Sequence, residues 1–100
     1  MALIPINTVH RQVLQLLNKI TPPGGVELLS YKRDRSIAMI RMENERYRII
    51  ERGFEDQESL VDSAHLSRVL KTMIKREFPR SRRVRLIRFS SPQELQRQRI

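Results

Sequence analysis

The chain contains no cysteine and no tryptophan, and only three of its 100 residues are glycine. Without cysteine it can form no disulfide, no thiolate metal site and no cysteine nucleophile, which fits a reducing compartment. No apolar run approaches the roughly 20 residues that a membrane-spanning helix requires. The opening stretch MALIPIN has no basic start and too few apolar residues for a signal peptide. We therefore expect a cytoplasmic protein with no membrane partner.

Acidic residues are scarce in the last third of the sequence. Residues 63–100 carry 11 basic and two acidic side chains, net +9, which equals the net charge of the whole chain. The preceding residues 51–62 carry one basic and five acidic side chains, net −4. Sixteen of the 20 basic residues are arginine, whose planar fork matches phosphate oxygens. This charge polarity predicts an anionic partner, either nucleic acid or an acidic protein surface.

Two segments have the apolar spacing of amphipathic helices. Residues 8–20 repeat apolar side chains at i, i+4, i+7, i+8 and i+11, and the sequence Thr21-Pro22-Pro23-Gly24-Gly25 ends the pattern. Residues 63–78 form the second pattern, with Asp62 or Ser63 as the N-cap and Pro79 closing it. A third, short helix is expected after Ser91-Pro92, because a cap followed by proline is typical of a helix start.

Four short runs are typical of β-strands, at residues 26–32, 36–42, 46–52 and 83–89. The acidic residues 54–62 are interpreted as a connection. The predicted order is α-β-β-β-α-β, and the fold class is α+β, with an antiparallel sheet and both helices on one face. Residues 1–90 form the single domain, and residues 91–100 form a short C-terminal helix or a frayed tail. The middle strand is apolar on both faces, so we expect something to cover the second face.

The candidate functional site is a basic surface that begins on the second helix. Arg68, Lys71 and Lys75 recur at i, i+3 and i+7, on the side opposite the apolar stripe. Closely spaced cations on one surface release counterions from nucleic acid and bind it with little sequence preference. The predicted contact residues are Arg68, Lys71, Lys75, Arg76, Arg80, Arg82, Arg83 and Arg85. The helix dipole is an alternative explanation for Lys75 and Arg76, which lie in the last turn.

The leading hypothesis is a non-catalytic domain that binds DNA or RNA mainly through the phosphate backbone. Aromatic residues are few and are assigned mostly to the core, which favours backbone contacts over base stacking. Arg46 and Arg48, joined by Arg33 and Arg35 at the first turn, could form a second basic patch, but a solvated strand face is the favoured interpretation of these residues. The alternative hypothesis is an interaction module, either a homodimer or an adaptor for an acidic protein. No metal-ligand spacing involves His10 or His65, and we predict no cofactor and no enzyme activity.

Two known families resemble the predicted element order. The α-β-β-β-α portion is similar to the double-stranded-RNA-binding domain, which implies recognition of RNA shape and phosphates. Its Lys-Lys-x-Ala-Lys signature is replaced here by residues 63–67, Ser-Ala-His-Leu-Ser. The full order also resembles the core of restriction-endonuclease-like nucleases, which implies a magnesium site. The acids near the corresponding strands are Glu43, Glu45 and Glu51. None of them forms the acid-x-lysine pair of that family, because no lysine stands two residues after any of them.

Overall fold

A computed structural model describes residues 2–97, with side chains through residue 95. Six strands and three helices follow one another along this part of the chain. Their bounds are β1 (Ala2–Pro5), α1 (Ile6–Lys19), β2 (Gly25–Leu29), β3 (Ser36–Arg41), β4 (Arg46–Arg52), β5 (Gln57–Asp62), α2 (Ser63–Glu77), β6 (Arg83–Phe89) and α3 (Gln93–Arg97). The predicted α+β class is confirmed.

The strands form one sheet in the order β1-β6-β2-β3-β4-β5, and each neighbouring pair is antiparallel. Strands β1, β2 and β4 therefore run one way, and β3, β5 and β6 run the other way. The loops 30–35, 53–56 and 78–82 consequently meet at one end of the sheet, which is called the loop end below. The loops 20–24 and 42–45 lie at the opposite end.

Both long helices pack on one face of the sheet. Every second residue of the central strands points to that face, where it joins the apolar stripes of the helices. The helices also meet each other directly, since His10 Nε2 donates to the carbonyl oxygen of Ser67 over 2.8 Å. The main members of the core are Val9, Val13, Leu17, Val26, Leu28, Ile37, Met39, Ile49, Leu66, Leu70, Val84 and Leu86.

The second face of the sheet carries a smaller apolar cluster. Ala38 and Ile40 of β3 contact Phe89 of β6 and Leu95 of α3. Carboxylate oxygen Oε2 of Glu94 accepts from two amides at the start of this helix, and so caps it. The predicted cover of the apolar middle strand is therefore supplied, at least here, by the chain's own α3. Residues 98–100 of the predicted tail lie outside the described residues.

Two strands are present that the sequence did not predict. Residues 57–62, interpreted as a connection, form β5 at one edge of the sheet, so that interpretation is wrong for these residues. Residues 2–5 form β1 at the other edge, paired with the start of β6. Four strands, not three, therefore separate α1 from α2, and the order departs from both of the families that it resembled.

The remaining boundaries are close to those predicted. Strands β4 and β6 and helix α2 begin as expected, and Asp62 caps α2 by accepting from the amide of His65 over 3.0 Å. Helix α1 begins two residues early, at Ile6, and no side chain caps its start. Strand β2 ends at Leu29, three residues before the predicted end, which leaves Tyr31 in the following loop.

Candidate nucleic-acid interface

The basic ridge of α2 exists as predicted along its solvent side. Leu66, Leu70, Met73 and Ile74 occupy the buried side of the helix, which turns the ridge outward. The ridge consists of Arg68, Lys71 and Lys75, all exposed. It extends about 10 Å along the helix, at 1.5 Å per residue. That length matches about three phosphates of one DNA strand, spaced at 3.4 Å along the axis.

A groove of about 530 Å³ joins this ridge to the turn that follows α2. Lys71 and Lys75 form one wall, and Asn7 and His10 of α1 form the other. The groove ends at Phe78, Pro79 and Ser81. Arg80 and Arg82 of the same turn are both exposed. The groove therefore connects the later part of the ridge, at Lys71 and Lys75, with the turn at the loop end.

No carboxylate opposes this surface from either long helix. Helix α1 contains no Asp or Glu, and it adds Arg11 to the exposed cations. Glu77, the one acid in α2, is only 1% exposed. Within the part of the chain that the structure describes, no carboxylate is paired with Arg68, Lys71, Lys75, Arg80 or Arg82. No acid of β5 forms an ion pair with the ridge in this part of the chain.

Arg76 differs from its neighbours on the ridge because it forms an ion pair under α2. Its Nε and Nη2 atoms donate to the two carboxylate oxygens of Glu51 over 2.8 and 2.7 Å. Glu51 lies on the buried side of β4, and its side chain is 0% exposed. Gln57 Nε2 donates to the same carboxylate over 2.8 Å. Arg76 therefore has a structural partner and differs in this from the other cations of the ridge and the turn.

The Glu51 carboxylate lies beside a second buried acid, Glu77. Burial opposes ionisation of Glu51, but hydrogen bonds from Arg76, Glu77 and Gln57 outweigh it and lower the pKa to about 2. Burial and the hydrogen bond to Glu51 raise the pKa of Glu77. The amides of Phe54 and Glu55 also donate to Glu77, over 3.0 and 3.2 Å. This cluster ties the 53–56 loop to the end of α2.

Arg83 and Arg85 are separated from the helix ridge by the sheet. They alternate with Val84 and Leu86, which are buried under the helices, and so point to the second face. Arg85 also contacts the 30–35 loop, where its Nε donates to the carbonyl oxygen of Tyr31 over 3.2 Å. The eight predicted residues thus divide into a ridge with its turn, one buried ion pair, and two arginines on the other face.

The second basic patch also lies on that other face. Arg46 and Arg48 of β4 alternate with the buried Tyr47 and Ile49, as predicted. Arg48 Nε contacts a carboxylate oxygen of Glu58 in β5 at 2.6 Å. Both side chains are substantially exposed, and such surface pairs contribute about 0–1 kcal/mol to stability. The pairing lowers the anion-binding potential of this patch relative to the ridge.

Two features of the surface were not predicted. His10 borders the groove from α1, where Arg11 is also exposed, and the absence of acids in residues 1–25 was the available signal. Tyr31 and Phe54 are exposed at the loop end, although the sequence assigned most aromatics to the core. Tyr31 was assigned to a strand that ends earlier than predicted, whereas Phe54 already fell in the predicted connection after β4.

The acids that a magnesium-dependent nuclease would need are not assembled. Glu43 and Glu45 lie in the turn before β4, and Glu51 lies six residues further along that strand. Six residues of extended strand span about 20 Å, so these acids cannot share one ion. No group of three or more metal-ligating side chains occurs in the residues that the structure describes. None of the helices described is long and apolar enough to cross a membrane.

Comparison with known proteins gives no further guide to this surface. No protein-family model matches the chain, and neither a curated protein nor a solved structure matches it.

Proposed function

We propose that this protein is a small non-catalytic nucleic-acid-binding domain. It contacts phosphates through a surface formed by Arg68, Lys71, Lys75, Arg80 and Arg82, called the phosphate surface below. The observation that supports this most directly is the lack of any exposed carboxylate on the two long helices beside five cations. Unpaired cations at this spacing can replace condensed counterions on a nucleic acid. A cytoplasmic location is also proposed, since a chain without cysteine fits a reducing compartment.

The observation behind the alternative function has another explanation. The apolar second side of β3 suggested a partner's surface, but Leu95 contacts Ala38 and Ile40 there. A homodimer or an acidic partner is therefore not needed to account for that side. The helix ridge with its groove would suit an acidic protein as well as nucleic acid, so the test below includes one.

Titration of fluorescently labelled DNA and RNA tests the proposal. Duplex and single-stranded oligonucleotides are titrated with the protein by fluorescence anisotropy at several salt concentrations between about 50 and 200 mM. We expect at least micromolar affinity at the lowest salt, with a logarithmic slope of about −0.9 for each phosphate contacted on duplex DNA. Polyglutamate serves as the acidic protein competitor. Binding to polyglutamate but to no oligonucleotide would overturn the proposal in favour of an acidic partner.

A charge-matched pair of variants locates the contact. The double variant Lys71→Gln/Lys75→Gln should make the salt slope on duplex DNA less steep by about 1.8, because two phosphate contacts are lost. The control, Arg46→Gln/Arg88→Gln, removes the same charge at the opposite end of the sheet. It should change the slope little. Equal effects of the two variants would show that net charge, not the phosphate surface, governs binding.

A further inference from the structure

Two aromatic side chains at the loop end are exposed to solvent. Tyr31 follows β2 and is 68% exposed, and Phe54 follows β4 and is 60% exposed. The other three aromatic residues, Tyr47, Phe78 and Phe89, are buried. More than half of the surface of each of these two residues therefore stays accessible to a ligand.

An arginine lies against each of these rings. The guanidinium carbon of Arg35 is 3.8 Å from the ring centroid of Phe54, and that of Arg85 is 4.8 Å from the centroid of Tyr31. Each guanidinium also donates to a backbone carbonyl, Arg35 to Glu77 and Arg85 to Tyr31, both over 3.2 Å. Each arginine is thus held in place and supports its ring, whose large exposed fraction leaves area for a planar ligand.

Hydrogen bonds fix the two loops that carry the rings. Glu77 accepts from the amide of Phe54, as described above. In the other loop, Ser30 Oγ donates to Asp34 over 2.7 Å and accepts from the amide of Arg35 over 3.1 Å. Because hydrogen bonds already order both loop backbones, the protein loses little conformational freedom when a ligand stacks on the rings.

The rings lie at the same end of the sheet as the turn that carries two of the proposed phosphate contacts. Strands β2 and β4 are separated only by β3, so the two loops are about 10 Å apart at the usual strand spacing. Loop 78–82, which carries Arg80 and Arg82, lies at the same end of the sheet. A flexible strand whose phosphates contact that loop can therefore bring its bases to the two rings.

We propose that Tyr31 and Phe54 stack unpaired bases, so that the preferred ligand is single-stranded nucleic acid or a single-stranded end. This inference rests on the proposed function and adds the class of nucleic acid. Paired bases in a duplex are stacked on one another and offer no free face to these rings. Stacking on aromatic side chains tolerates any base, which agrees with a surface that otherwise contacts phosphates.

The absence of tryptophan in the chain provides a direct test. Tyr31→Trp and Phe54→Trp each create a protein with a single indole at the proposed stacking position. Its fluorescence should be quenched by the 15-mers of deoxythymidine or uridine, and not by a blunt 15-base-pair duplex. Met42→Trp is the matched control, because Met42 is also exposed but lies at the opposite end of the sheet. Its fluorescence should stay unchanged with every ligand.

Affinity measurements give a second, independent readout. Tyr31→Ala and Phe54→Ala should each weaken binding of the single-stranded 15-mers roughly 5- to 150-fold, the range measured for loss of one base–aromatic stack. Binding of the blunt duplex should stay within about 2-fold of wild type, since it depends on phosphate contacts alone. Tyr31→Phe keeps the ring and should bind as wild type does.

The outcomes separate the two proposals. If the alanine variants bind single strands normally and the indoles are not quenched, the stacking site is overturned while phosphate binding stands. Equal weakening on duplex and single strands also overturns stacking, because it indicates a general loss of structure. If the wild-type protein binds no oligonucleotide at low salt, both proposals fail.

Discussion

Lys75 and Arg76 are adjacent cations on α2 whose surroundings differ. Lys75 lines the groove at the solvent side, whereas Arg76 forms the ion pair with buried Glu51. Replacing each with methionine removes the same charge, keeps an apolar stem and retains a good helix former. We expect Arg76→Met to lower stability and spare binding, and Lys75→Met to lower binding and spare stability.

The magnitude for Arg76→Met follows from the burial of its partner. Removing one partner of a buried ion pair typically costs about 3–5 kcal/mol, because the other charge is left uncompensated. The Arg76 side chain is 33% exposed while Glu51 is 0% exposed, so water can reach the pair from one side only. We therefore expect a loss near the lower limit, about 3 kcal/mol. For a domain of this size that corresponds to a fall in Tm of roughly 12–24 °C. Lys75→Met should stay within about 0.5 kcal/mol of wild type.

Urea denaturation followed by circular dichroism at pH 7 measures both free energies of unfolding. The double variant Glu51→Gln/Arg76→Met removes both charges and keeps an acceptor for Gln57. It should therefore be more stable than Arg76→Met alone by about 1 kcal/mol or more, the size of coupling that is common between contacting residues. The salt slope of duplex binding provides the other half of the comparison. Lys75→Met should make it less steep by about 0.9, and Arg76→Met should leave it unchanged.

Two results would refute this reasoning. A loss below about 1 kcal/mol in Arg76→Met would mean that Glu51 does not need its guanidinium partner as a buried anion. Equal effects of the two substitutions on stability would mean that both cations serve the helix end in the same way, through its dipole.

Three further predictions concern the fold around the site. Glu77→Gln mimics the protonated acid. The raised pKa of Glu77 makes the free energy of unfolding of the wild type fall as the pH rises above the ordinary value of 4.5, so the variant should become more stable relative to wild type from pH 4.5 upward. Urea denaturation at several pH values checks this. A constant difference in the free energy of unfolding between pH 4 and 8 would contradict it. Asp62→Ala removes the N-cap of α2 and should cost about 1 kcal/mol, measured by thermal denaturation, whereas no change would mean that the cap is dispensable. Leu95→Ala should cost about 2 kcal/mol through lost packing on β3, while Leu60→Ala, at an exposed position, should cost little; equal values would argue against α3 as a cover.

The sequence predicted the elements that bury a full apolar face and missed those that do not. Helix α2 and strands β4 and β6 each alternate or repeat buried side chains along their length, so periodicity located them within a residue or two. Strand β5 contains no fully buried residue, because only one of its sides meets the core and its other side is exposed. Strand β1 is four residues long and buries one of them. Edge strands are held by backbone pairing, which leaves no apolar pattern to detect.

The exposed charges of the candidate site could be predicted from the sequence, but the contacts that its side chains make within the protein could not. The i, i+3, i+7 spacing on α2 correctly gave an exposed row of cations, because the opposite side of that helix had to be apolar. Only Lys75 falls on that spacing, but the sequence could not give Arg76 its partner, since Glu51 is 25 residues away and on another element. The ring of Tyr31 escaped notice for a related reason. Its exposure depends on where β2 ends, which sheet pairing decides, whereas Phe54 already fell in the predicted connection after β4.

The electrostatic field of the phosphate surface depends on where the fold places the carboxylates. Residues 51–62 precede α2 and carry five acids, enough on composition alone to neutralise the ridge. The structure directs Glu51 inward to Arg76, Glu58 to Arg48 on the other face, and Asp62 to the N-terminus of α2. These three acids are therefore occupied at positions away from the solvent side of the helix. Glu55 and Asp56 stay exposed in the 53–56 loop, so their charges weaken the field at the loop end. Because interactions between exposed charges fade beyond a Debye length of about 8–10 Å, these two acids act more on the end of the ridge at Lys75 than on Arg68 at physiological salt.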